Sequence, residues 1–103
     1  GPFAQRVLDT EQRRVIERVP EAEAYIALLR QRRRGSPRDL RWLVRMASEY
    51  PTEALRAALA EALRYGMADL ERLERMVLRR VGSDFFVLRR HDDEGDDPED
   101  DDD

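Results

Sequence analysis

The chain has 103 residues, of which nineteen are basic and twenty-three acidic, for a formal net charge of −4, and it has no cysteine. That length holds one small domain with a marginal core, and the missing thiols exclude a disulfide framework, thiolate metal sites and a cysteine nucleophile. No apolar run approaches a membrane span and no charged-then-apolar leader stands at the front, so the expectation is a cytoplasmic protein without a membrane partner.

Gly1 and Pro2 read as a protease-cleavage remnant of recombinant expression, which would make the chain a fragment whose function belongs to a longer parent. The helical domain is then expected over residues 3–90. Within it, Asp9-Thr10-Glu11-Gln12 offers an N-cap followed by Val15, Ile16 and Val19, until Pro20 interrupts the run. A second helix from Glu21 places Ala22, Tyr25, Ile26 and Leu29 on one side, then dissolves into Arg30, Arg32, Arg33 and Arg34 before Gly35.

Ser36-Pro37-Arg38-Asp39 is a start signal with three parts: a serine cap, proline at the first helical position and a carboxylate three residues after the cap. The third helix spaces Leu40, Leu43, Val44 and Ala47 at i, i+3, i+4, i+7 and stops near Tyr50-Pro51. Thr52 is expected to cap the fourth, whose Leu55, Ala58, Leu59, Ala62 and Leu63 form an alanine-lined face that permits close approach, and Gly66 ends it. Asp69 opens the fifth, carrying Leu70, Leu73, Met76, Val77 and Val81, and Gly82 is expected to close it. "SDFFVLRR" then reads as a short strand or extended arm, and "HDDEGDDPEDDDD", residues 91–103, as a disordered acidic tail. No useful length alternates with period two. The expected fold is all-α, a small bundle of four to five short helices with that tail.

The tail carries ten acids and no base, so residues 1–90 hold thirteen acids against nineteen bases, net +6. Every base is arginine, the better side chain for bidentate phosphate contact, although a GC-rich genome has the same effect. His91, the lone histidine, has no positioned partner. The tail acids lack the spaced ligands and glycine of a calcium loop, and no glycine-rich phosphate loop is present. The expectation is therefore no catalytic residue, no metal, no cofactor and no small-molecule substrate. Carboxylates elsewhere alternate with arginines at helical spacing, as in Glu71 and Arg75, the mark of a solvated ion-paired face.

Arg38, Arg41 and Arg45 recur along the third helix and continue the charge of Arg30, Arg32, Arg33 and Arg34. At about 100° per residue, Trp42 falls among these arginines and outside the Leu40, Leu43, Val44, Ala47 stripe. It suits stacking on a base or filling a partner's pocket; the alternative is that it covers the core against the first two helices. These eight residues are the candidate nucleic-acid or partner surface. The Gly66 turn also invites comparison with a helix-turn-helix: Ala62 and Met67 suit that alignment, but it would turn Arg72 and Arg75 inward, against the stripe of Leu70, Leu73 and Val77.

The succession "YIALLRQRRRG", "LRWLVRMASEYPTEALRAALAEALRYGMADLERLERMVLRRV" and "DFF" resembles the C-terminal region of transposases of the IS21 class of bacterial insertion sequences, over Tyr25 to Phe86. The resemblance implies a parent DDE-type recombinase that uses divalent metal on a ribonuclease-H-like domain outside this chain. For this region it implies accessory work: assembling the synaptic complex, touching DNA backbone, or recruiting a AAA+ helper ATPase. The acidic tail departs from the family's pattern. The expected function is thus a non-catalytic module of a DNA transposition protein, assembling with a helper ATPase, the rest of a transposase or itself. The alternative is a free-standing adaptor or dimerisation domain without nucleic acid.

Overall fold

A computed structural model describes residues 2–94, with side chains through Ser83. Within them the chain forms five helices and no strand: α1 Pro2–Arg18, α2 Glu21–Gln31, α3 Pro37–Glu49, α4 Thr52–Arg64 and α5 Leu70–Glu94. The all-α fold expected from the sequence is what forms. No described helix is long and apolar enough to cross a membrane.

Helix α1 starts earlier than Asp9-Thr10 suggested. Residues 3–8 contain no glycine or proline to stop helix propagation, so Thr10 lies inside the helix and its hydroxyl donates to the Arg6 carbonyl at 3.0 Å. Pro20 lacks an N–H and ends the run, and α2 begins directly behind it. At α3 the capping box is complete: the Asp39 amide donates to Ser36 Oγ at 3.2 Å, and the Ser36 amide donates back to Asp39 Oδ2 at 3.3 Å. Thr52 does not cap α4. It is the first helical residue, Pro51 takes the cap position, and no side-chain cap bond forms. Asp69 does open α5, its Oδ1 accepting from the Arg72 amide at 3.1 Å.

Two helices end in the same way. After α4, Gly66 N–H donates to Leu63 O and Met67 N–H to Ala62 O, with Gly66 at φ 62°; this is a Schellman motif, and glycine is the residue that reaches that φ without strain. After α2, Arg33 N–H donates to Arg30 O and Arg34 N–H to Leu29 O, with Arg33 at φ 62°. The left-handed position there is filled by an arginine.

Gly82 does not close α5. The helix continues through it to Glu94, so "SDFFVLRR" is helical backbone and the expected strand or arm does not form. Once a helix is propagating, one glycine costs about 1 kcal/mol, too little to stop it without a competing cap. The expected disordered tail falls partly on this helix, through Glu94; residues 95–103 lie outside the described residues.

Helix α4 lies against α2, α3 and α5, while α1 packs on α3 and α2. The α4 face toward its neighbours is Leu55, Ala58, Leu59 and Ala62, all essentially inaccessible, and its alanines let the helices approach closely. Tyr25, Leu29, Leu43, Met46, Leu73 and Val77 complete the centre. Tyr25 also clamps α2 to the α4–α5 turn. Its hydroxyl donates to the Met67 carbonyl and accepts from the Asp69 amide, each at 3.0 Å, which satisfies a polar group buried in the core. Burial pushes its phenol up to about 12.

Candidate nucleic-acid interface

Three structural features position the expected surface. The end of α2 and the Schellman turn carry Arg30, Arg32, Arg33 and Arg34, all exposed. Asp39 ties that turn to α3, its Oδ2 accepting from the Gly35 amide at 3.0 Å as well as from Ser36. The first two turns of α3 then present Arg38 and Arg41, also exposed.

The side chains separate into those already engaged and those turned outward. Arg45, one of the expected contacts, is engaged. Its guanidinium pairs with Glu74 at 2.9 Å and with Glu49 at 2.7 Å, which raises its pKa further above the ordinary arginine value. Trp42 is engaged as well, its indole N–H donating to Glu74 Oε1 at 2.8 Å. Tyr50 donates its hydroxyl to the same carboxylate. Glu74 thus accepts from an indole, a guanidinium and a phenol. Arg45 beside it, aided by the Tyr50 and Trp42 hydrogen bonds, holds its pKa down at about 2, against the raising effect of partial burial.

Trp42 consequently covers the core and is tied to α5 through Glu74. The reason lies in the true position of the α3 stripe. Met46 is buried and Val44 only half-buried, so the buried arc runs through Leu40, Leu43, Met46 and Ala47. Met46 lies four residues, about 40° of rotation, from Trp42. The tryptophan sits at the edge of the core and is half-buried.

Of the eight expected residues, Arg32 leans away from the rest, its guanidinium within 3.2 Å of where a Cβ on Gly66 would sit, over the α4–α5 turn. Arg30 lays its aliphatic stem on Gly35. Arg38 and Arg41 share a shallow depression of about 400 Å³ with Trp42 and Arg45. Among the described residues, Arg30, Arg32, Arg33, Arg34, Arg38 and Arg41 form no ion pair. Ion-paired arginines lie elsewhere: Arg56 with Glu21, Arg80 with Glu61, and Arg75 with Glu71 as the sequence suggested.

The α4–α5 turn does not present a reading helix. Leu70, Leu73, Met76 and Val77 face the core, and Arg72 and Arg75 are exposed where a helix-turn-helix would bury them. Sequence reasoning missed Glu74 as the centre of the α3–α5 junction. A signal was present, since Glu74 occupies the i+4 place of the stripe Leu70, Leu73, Val77 where an apolar residue belongs. Among the described residues, no three His, Cys, Asp or Glu side chains come together as a metal site would require. Compared with protein-family models, curated proteins and solved structures, the chain matches none.

Proposed function

We propose that this chain is a non-catalytic helical module of a DNA transposition protein of the IS21 kind, one that touches DNA backbone through the α2–α3 arginines and assembles with a partner, a AAA+ helper ATPase or another transposase copy. One observation carries the DNA contact. Six exposed arginines between Arg30 and Arg41 cluster on one turn and the helix start behind it, and none has an ion pair among the described residues. Arginines held this way on a rigid turn suit phosphate oxygens and release counterions on binding. The left-handed Arg33 adds support. Glycine would be more stable there, so keeping a long cationic side chain at that φ favours a use for it.

The proposed contact is with phosphate, which guanidinium groups on a turn and helix start suit without any requirement for base sequence. The test is duplex-DNA affinity across a salt series. Wild type should lose affinity steeply with salt, and Arg38→Gln and Arg41→Gln should each lower the logarithmic slope by about 0.9. Both changes should leave stability within about 0.5 kcal/mol. Absence of duplex binding at low salt, with the acidic residues from His91 onward removed, would refute the DNA contact and favour a protein-only adaptor.

A further inference from the structure

A groove of about 510 Å³ runs between the end of α4 and the first half of α5. Its floor is apolar: Ala62 and Met76 are buried and Met67 is half-buried. Tyr65 forms one wall and is 73% exposed, second only to Phe3 among the large apolar side chains of the described residues. Arg72 and Arg79 stand on the α5 side, both exposed and without an ion pair among the described residues. The one acid in the groove, Glu61, is already paired with Arg80 at 2.9 Å. Arg64 adds a third cation, lying over the Tyr65 ring at 5.6 Å.

We propose that this groove docks a short acidic peptide segment of a partner protein, bearing one large apolar side chain as its anchor. The apolar floor accepts the anchor, methionine adapting to its shape, and the cationic rim selects carboxylates on either side. A volume near 500 Å³ holds one large side chain and adjoining backbone. Duplex DNA fits the site poorly, since its backbone offers nothing to cover Ala62, Met67 and Met76. A second copy fits poorly too: a two-fold contact would set the same arginines against one another. The inference does not rest on the α2–α3 arginines or on DNA contact.

The experiment is fluorescence anisotropy of the labelled peptide Asp-Glu-Glu-Ser-Phe-Glu-Asp-Asp titrated with the whole chain, beside a control in which Ser replaces Phe. Saturable binding is expected, weakened about tenfold by the control sequence, by Arg72→Gln with Arg79→Gln, and by Tyr65→Ser. Thermal melting should be unchanged in these surface variants, and duplex-DNA affinity should fall less than peptide affinity. No saturable binding, equal binding of the control, or indifference to both sets of variants overturns the proposal. So does an equal loss of duplex-DNA and peptide affinity, which would make the groove a nucleic-acid surface. Wild-type dimers that Tyr65→Ser dissociates would show that a second copy covers it, and also overturn the proposal.

Discussion

Glu74→Gln removes one charge at the junction of α3 and α5 while keeping side-chain volume and an oxygen that can still accept from Trp42. Holding this carboxyl at about 2, down from 4.5, corresponds to at most about 3 kcal/mol of native-state stabilisation at neutral pH. The side chain is only 18% exposed, but Arg45 opposite it is 43% exposed, and solvent screening reduces the expected loss to about 1–2 kcal/mol. The pH dependence has a fixed sign. A lowered folded-state pKa gives stability that is full above 4.5 and is lost as pH falls toward 2, with about half gone near pH 3. The assay is urea unfolding followed by the emission of Trp42, the only tryptophan, in wild type and variant at neutral pH and near pH 3. The difference should shrink in acid because the wild type loses what the variant never had. A neutral-pH difference below about 0.3 kcal/mol, or one independent of pH, would refute the role given to the charge. Freeing Arg45 should also leave DNA affinity equal or higher.

Tyr25→Phe leaves the Met67 carbonyl and Asp69 amide without their buried partner and should cost about 1–3 kcal/mol in urea unfolding. Wild type should further lose roughly 2 kcal/mol as pH rises from about 10 to 12, because the unfolded chain ionises its phenol before the folded one does; the phenylalanine variant should lack that component. Arg33→Gly relieves the left-handed arginine and should raise stability by about 1 kcal/mol while weakening DNA binding, measured on one preparation. Gly82→Ala should add about 0.5–1 kcal/mol and helical circular dichroism, since a Cβ there meets nothing within 4 Å; no gain would argue against a helix running through that position.

Local chemistry made much of the fold legible. The Ser36–Asp39 box, the Pro20 break and the Gly66 terminus are each set by residues within a few positions of one another, and each forms where expected. The signals that misled were also local but weaker. Thr10 had a helix already running behind it, Thr52 gave way to Pro51 as the cap residue, and Gly82 had no competing cap to make its propensity decisive. The long-range contacts were not legible. Nothing near Glu74 in the chain names Trp42, Arg45 and Tyr50 as its partners, because α3 and α5 meet only when α4 is between them in sequence and beside them in space. A helical wheel placed Trp42 among arginines correctly and left its burial as one of two readings, without naming α5 as the helix that receives its indole. The wheel gives direction around one helix, and burial depends on what the neighbouring helix brings.

That distinction decides how the arginines of α3 are to be understood. Arg38, Arg41 and Arg45 share a face, and by spacing alone they form one cationic ridge. Tertiary packing divides them: α5 delivers Glu74 beneath Arg45, whereas Arg38 and Arg41, two turns and one turn nearer the capping box, meet no carboxylate within pairing distance among the described residues. A residue used to fasten two helices gains little from an external phosphate, since binding there would first have to break a charge-assisted pair and leave Glu74 facing like charge. Arg45 should therefore behave as a stability residue, and Arg38 and Arg41 as contact residues, on the same helix. Arg45→Gln should lower the urea midpoint and barely change the salt slope, and Arg38→Gln should do the reverse. If both variants shift the same quantity, the ridge acts as one surface and the division proposed from Glu74 is wrong.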